Sequence, residues 1–168
     1  MKLMVLDGNS ILNRAYYGIR PLTTKEGLYT HAVYGFLMMM SRLEDEEKPD
    51  ALCVTFDRRE PTFRHLEYEG YKATRKGMPE ELAVQLPVMK EVLDAMNIPR
   101  YELAGYEADD LIGTISRRCE AADWECVAAT GDKDSLQLVT AHTTVKLIST
   151  RMGQTTTKDM TPESFREA

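Results

Sequence analysis

Short apolar runs of strand type alternate along this chain with longer runs of helical periodicity. The strand patterns are KLMVLD (2–7), ALCVTFD (51–57), a weaker PRYELAG (99–105), ECVAATGD (125–132) and TVKLIS (144–149). The clearest helical patterns cover 32–43, 79–96 and 108–119, where apolar residues recur on one face. Strands that alternate with helices favour right-handed crossovers and a largely parallel sheet. We therefore predict an α/β fold with a mostly parallel central sheet flanked by helices.

Two prolines refine this prediction. Pro87 lies inside the helical run 79–96 and removes a hydrogen bond to the carbonyl of Ala83, so we expect a kink or break there. Thr161 and Pro162 are typical of a helix start, close to the final Ala168. Because so short a helix is marginal alone, we expect the chain to be a fragment of a longer protein.

Length and composition narrow the class of protein. A chain of 168 residues suits one domain. The sequence has no long apolar run and no secretory signal at its N-terminus, so we expect a monomeric cytoplasmic protein without membrane contact. Its three cysteines and three histidines show no zinc-ligand spacing. With a net charge of −6, any nucleic-acid contact has to come from a local basic patch.

Carboxylates gather at the ends of four predicted strands. Any one of them could simply cap a turn or a helix. The carboxyl ends of parallel strands meet at one edge, however, and charges gathered there repel one another unless a cation neutralises them. Oxygen ligands suit Mg²⁺ or Mn²⁺, and paired ions of this kind serve phosphodiester hydrolysis. The predicted ligands are Asp7, Asp57, Glu107, Asp109, Asp110, Asp132 and Asp134.

A basic segment at 58–76 provides the local patch. It holds six basic and three acidic residues, and three aromatic residues, Phe63, Tyr68 and Tyr71, are interleaved with them. Such a surface can hold phosphates and stack a base, although a solvated loop with its aromatic residues in the core gives the same pattern.

Several other enzyme classes lack their motifs in this sequence. The phosphate-binding patterns GxxxxGKS/T and GxGxxG are absent. A haloacid-dehalogenase phosphatase needs a second Asp two positions after the first, where this chain has Asn9 after Asp7.

Five ordered motifs resemble those of a known family. They are LDGNSILNRAYYG, THAVYGF, VTFDRREPTFRH with GYKATRKGMPEEL, GYEADDLIGT and TGDKDSLQLV. Together they resemble the 5′→3′ exonuclease region of bacterial DNA polymerase I, within the flap endonuclease family. The resemblance covers essentially the whole chain and implies a PIN-like (resolvase-like) three-layer fold.

The resemblance also implies roles for individual residues. The seven carboxylates fall on the family's metal-site positions, which in the complete domain hold two ions. Lys72 and Arg75 resemble the residues that polarise the scissile phosphate, and Tyr71 resembles the tyrosine that stacks on the terminal base. Arg14 and Arg64 are further candidates for phosphate contacts. The segment 58–85 corresponds to the family's arch over the site.

The family's sequences continue beyond this point into a helix-three-turn-helix module and two further aspartates. The resemblance thus implies that 1–168 is a PIN-like domain truncated before that module. The expected partners are DNA with 5′ ends or flaps and polymerase domains of the same parent chain. Two alternatives stay open at this point: a DNA-end binding module without catalysis, and a PIN-type ribonuclease.

Overall fold

The computed structural model describes residues 1–58, 78–151 and 154–167. Its six strands form one sheet in the order β3-β2-β1-β4-β5-β6. Neighbouring strands are parallel except for β5 and β6, which are antiparallel. The strands are β1 (Lys2–Asp7), β2 (Ala51–Thr55), β3 (Arg100–Tyr101), β4 (Glu125–Thr130), β5 (Thr143–Arg151) and β6 (Gln154–Met160).

Helices connect the strands and cover both faces of the sheet. They are α1 (Gly8–Gly18), α2 (His31–Glu47), α3 (Glu80–Ala83), α4 (Gln85–Ala95), α5 (Ala108–Ala121) and α6 (Pro162–Glu167), with a 3₁₀ helix at Lys133–Leu138. No helix within the described ranges is long and apolar enough to span a membrane.

The core forms on both sides of the sheet because alternate residues of a strand point to opposite faces. In β1, Met4 and Leu6 belong to the cluster that contains Phe36 of α2. Val5, between them, belongs to the second cluster, with Ile112 of α5. Helices α1, α2 and α4 therefore pack on one face and α5 on the other, which confirms the predicted α/β fold in three layers.

The helical run 79–96 breaks as expected, at Val84, directly after Ala83, whose carbonyl receives no hydrogen bond from Pro87. Helix α4 begins at Gln85, so Pro87 is its third residue. A backbone N–H in the first helical turn has no acceptor within the helix, and proline is tolerated there.

The buried Gln85 accepts hydrogen bonds from Ala32 N at 2.7 Å and Val33 N at 3.2 Å. Gln85 thereby caps the N-terminus of α2, where the side chain of Thr30, at the N-cap position, makes no capping hydrogen bond.

A buried lysine joins the β5–β6 pair to α2. Lys146 Nζ lies 2.8 Å from Glu47, 2.9 Å from Asp159 and 3.3 Å from Glu46. Burial lowers the pKa of Lys146, but the hydrogen bonds to Glu47 and Asp159 outweigh it and the pKa is raised. Lys146 is thus the shared cation of an ion-pair network that joins β5, β6 and α2.

Candidate active site

The carboxylates identified in the sequence lie at the end of the sheet where the parallel strands terminate. Asp7 is the last residue of β1, and Asp57 follows β2 by two residues. Asp132 follows β4, and Glu107 precedes α5 on the connection from β3. In α/β folds, ligands bind at this edge.

Asp7 is buried between the two strands that flank β1. Its Oδ1 accepts a hydrogen bond from Ser10 N at 3.3 Å, and its Oδ2 accepts one from Thr130 Oγ1 at 2.8 Å. Burial raises the pKa of Asp7 to about 7; these two hydrogen bonds oppose the rise, and the charges of Asp57 and Asp109 add to it. The ionised form is therefore costly without a neighbouring cation.

Asp57 connects β2 to the start of α5. Its backbone N–H donates to Asn9 Oδ1 at 2.8 Å. Its own Oδ1 accepts a hydrogen bond from Ala108 N at 2.6 Å. The first helical residue of α5 is thereby fixed against the end of β2, which brings the EADD motif beside Asp57.

The EADD motif forms a close acidic group at the N-terminus of α5. Glu107, Asp109 and Asp110 each offer a carboxylate oxygen, and these atoms all lie within 4.8 Å of one another. The backbone N–H of Glu107 donates to Asp110 Oδ2 at 2.9 Å. A helix N-terminus favours negative charge, but three carboxylates exceed what capping needs. Such a group can hold a divalent cation.

The TGDKD segment places Asp132 and Asp134 on the wall of the same cavity as Asp7. Asp132 N donates to Thr130 Oγ1 at 3.1 Å, and Asp134 N donates to Asp132 Oδ1 at 2.9 Å. Two residues of α1 hold the intervening Gly131: Ser10 Oγ accepts from its N–H at 2.7 Å, and Arg14 Nη2 donates to its carbonyl at 2.9 Å. A Cβ on Gly131 would lie only 2.0 Å from Arg14 Nε, so any other residue here would displace the Arg14 guanidinium.

Six of the seven carboxylates line a single cavity of about 650 Å³: Asp7, Asp57, Glu107, Asp109, Asp132 and Asp134. The seventh, Asp110, is not part of its lining and belongs to the close group at the start of α5. Asn13, Arg14 and Tyr17 of α1 form another part of the wall. Several carboxylates do accept a hydrogen bond from a backbone N–H, as expected if each one only caps a turn or a helix. Capping alone, however, does not require them to share one cavity.

Of the other predicted site residues, only Arg14 lies within the described part of the chain. Arg14 lies on the cavity wall, and it is the only lysine or arginine among the described lining residues. Arg64, Tyr71, Lys72 and Arg75 lie outside the described residues, as does most of the predicted arch at 58–85.

The site contains three further polar residues that the sequence pattern does not identify: Asn9, Ser10 and Thr130. Their side chains bond to Asp57, Gly131 and Asp7, respectively. Asn9 and Ser10 directly follow the Asp7–Gly8 pair, and Thr130 precedes Gly131, so all three lie within motifs quoted for their carboxylates. Polar residues beside predicted ligands are the signal that could have found them.

A family model described as the 5′-3′ exonuclease N-terminal resolvase-like domain matches residues 2–168. The chain belongs to this family. The resemblance inferred from the five motifs is thereby confirmed.

Curated relatives of this exonuclease-family chain are much longer proteins. It is 44% identical to DNA polymerase I of Caldicellulosiruptor bescii over 167 residues, which are 99% of the chain and 20% of the relative. It is 43% identical to DNA polymerase I of Bacillus subtilis over 166 residues, 99% of the chain and 19% of the relative. The chain thus spans about a fifth of the length of these relatives.

Solved structures share the fold of this exonuclease-family chain. The bacteriophage T5 5′-exonuclease with bound divalent ions (zinc) matches with a TM-score of 0.72 at 18% identity, over 99% of this chain and 60% of that one. A T5 flap endonuclease in a pseudo-enzyme–product complex with DNA and metal ions gives 0.69 at 16%, with the same coverage. Human GEN1 in complex with Holliday junction DNA gives 0.54 at 15%, over 99% and 39%. These likenesses confirm the resolvase-like fold.

Proposed function

We propose that this chain is the metal-binding part of a 5′ nuclease that hydrolyses phosphodiester bonds near DNA 5′ ends or flaps. The observation that carries the proposal is the convergence of six carboxylates on one cavity at the carboxyl edge of the sheet. Membership of the 5′-3′ exonuclease family supports the reaction, and the polymerase I relatives support a parent chain with polymerase domains.

The residues present fit a hard divalent cation, Mg²⁺ or Mn²⁺. All the acidic side chains on the cavity offer oxygen, and its described lining residues include neither histidine nor cysteine. Burial and neighbouring charge raise the pKa of Asp7, so an incoming cation would remove an existing repulsion. Glu107, Asp109 and Asp110 would hold an ion together, with Asp7, Asp57, Asp132 and Asp134 as the further ligands. Paired ions in such sites supply an activated water and stabilise the attacking and leaving oxygens.

The chain's own residues would bind and orient the DNA. Arg14 has five N–H donors, and within the described part of the chain one of them bonds to Gly131, so others can contact a phosphate from the cavity wall. We assign phosphate polarisation to Lys72 and Arg75, base stacking to Tyr71 and phosphate contact to Arg64, from their positions in the basic segment and the family motif. T5 and GEN1 structures solved with DNA support a nucleic-acid substrate for this fold.

The test is cleavage of a 5′-labelled flap DNA with Mg²⁺ or Mn²⁺, compared with a chelator. Asp109→Asn changes a cavity carboxylate and should remove activity. Asp45→Asn makes the same chemical change on the exposed side of α2 and should retain it. Metal-dependent cutting by the wild type and by Asp45→Asn alone supports the proposal.

Two other results would favour the alternatives. Binding of flap DNA without cleavage at any metal concentration would favour a DNA-end binding module. Faster cleavage of RNA than of flap DNA would favour a PIN-type ribonuclease.

A further inference from the structure

The hydroxyl of Thr130 lies between two acidic residues of the cavity. Thr130 is the last residue of β4 and is fully buried. Its Oγ1 donates to Asp7 Oδ2 at 2.8 Å and accepts a hydrogen bond from Asp132 N at 3.1 Å. One hydroxyl group therefore links the carboxylate at the end of β1 to the backbone that carries Asp132.

This arrangement leaves Asp7 able to bind a cation while it fixes the orientation of the side chain. Each carboxylate oxygen has about two lone pairs. Oδ2 uses one for Thr130 and Oδ1 uses one for Ser10 N, so a lone pair remains on each oxygen once its bonds to described residues are made. Thr130 Oγ1 donates its proton to Asp7, because it acts as the acceptor in its other bond, from Asp132 N.

We propose that Thr130 is a positioning residue for the metal site, which sets its affinity for divalent cations by holding Asp7 and the Asp132 backbone at a fixed separation. The inference rests on the proposed function, since it assumes that these carboxylates bind a cation. Partners that orient metal ligands change metal affinity by roughly 10- to 100-fold when they are removed.

A second buried threonine in the same part of the sheet provides a matched control. Thr55 of β2 pairs with Asp7 in the β1–β2 register, and it is also fully buried. Its Oγ1 bonds to the backbone carbonyl of Leu6 at 3.5 Å. Thr55 and Thr130 thus flank the end of β1 on opposite sides, and only Thr130 bonds to a carboxylate of the described residues.

The experiment measures Mn²⁺ affinity by calorimetric titration of the whole chain, without DNA. Valine has nearly the shape of threonine and lacks the hydroxyl, whereas serine keeps it. Thr130→Val should weaken Mn²⁺ binding roughly 10- to 100-fold, while Thr130→Ser and Thr55→Val should stay within roughly threefold of wild type. Thermal unfolding in chelator verifies that each variant is folded, and Thr130→Ala replaces Thr130→Val if the latter does not fold.

The outcomes separate this inference from the proposed function. If Thr130→Val and Thr55→Val bind Mn²⁺ equally well, the positioning role of Thr130 is refuted while the metal site stands. If the wild type binds no Mn²⁺, the proposed function fails and the inference fails with it. In an Asp7→Ala background, Thr130→Val should cause a smaller loss of affinity than in the wild type, because the bond to Asp7 is already gone and only the bond from Asp132 N is left to remove. A full additional loss there would refute a role exercised through Asp7.

Discussion

The buried carboxyl of Asp7 should make the metal-free protein less stable as the pH rises. Its pKa is about 7 in the folded protein, compared with an ordinary value of 3.8, and burial is the main cause of the rise. A raised carboxyl pKa means that the folded state binds the proton more tightly than the unfolded state does. The stability that the folded state gains from protonated Asp7 is therefore fully present below about pH 4 and is lost as the pH rises through 7.

The size of the effect follows from the shift. At about 1.4 kcal/mol per pKa unit, the full difference is about 4 kcal/mol, and about 3 kcal/mol of it falls between about pH 5 and pH 8. Asp7→Asn removes the titrating group. Although the amide costs something beside Ser10 N, that cost does not vary with pH. The difference in unfolding free energy between variant and wild type should therefore shift by about 3 kcal/mol in favour of the variant across this range.

Urea denaturation at the two pH values, in chelator, measures the difference directly. Adding Mg²⁺ at the higher pH should reverse the trend, because the wild type gains about 2.7 kcal/mol at a concentration 100 times the dissociation constant and the variant gains less. The reasoning is refuted if the difference between Asp7→Asn and wild type is the same at both pH values, since Asp7 would then have an ordinary pKa in the fold.

Three further predictions concern catalysis and the fold. Asp109→Asn and Asp132→Asn should each abolish cleavage and slightly raise metal-free stability, because they relieve repulsion; wild-type turnover in either would contradict the role of the carboxylates. Lys72→Ala should lower turnover by more than it weakens DNA binding, which single-turnover kinetics and binding titrations separate; an effect confined to affinity would make Lys72 a phosphate anchor only. Lys146→Met should destabilise the fold by about 2–3 kcal/mol in urea denaturation, because it breaks the ion pairs of a buried cation with Glu47 and Asp159, and among the described residues Glu47 keeps only Lys2 as a partner; Arg42→Ala, at the exposed contact with Glu46 in the same network, should cost less than about 1 kcal/mol, and equal losses would contradict the importance of burial.

The main elements of the fold are predictable from the sequence because their apolar periodicity is strong. β1, β4 and α5 are buried on the faces that the pattern predicts. Helix α1 and strand β6 are not predicted. In α1 only Gly8, Ile11 and Leu12 are buried, and the GNS start is typical of a turn as much as of a helix. β6 has the sequence QTTTKDM, and its strand conformation depends on antiparallel pairing with β5 rather than on its own apolar pattern.

The arrangement of the site is predictable to the level of which carboxylates lie at which strand ends. The rule that parallel strands end on one edge is enough to bring Asp7, Asp57 and Asp132 together. It gives no information on the hydrogen bonds between them, because Thr130 is 123 residues from Asp7 in the sequence. It also does not distinguish Asp110, whose Oδ2 caps Glu107 N–H, from Asp109, which lines the cavity. Those differences arise from side-chain orientation at the start of α5.

Diffraction from Mn²⁺-soaked crystals of this chain tests the claim that the cavity carboxylates hold divalent cations. We predict anomalous peaks inside the cavity, at oxygen-ligand distances of about 2.0–2.2 Å from carboxylates that include Asp7 and at least one of Glu107, Asp109 and Asp110. The Asp109→Asn variant should lose at least one of these peaks under the same soak. Saturating Mn²⁺ that gives no peak within the cavity, or peaks only on the exposed surface, would contradict the claim.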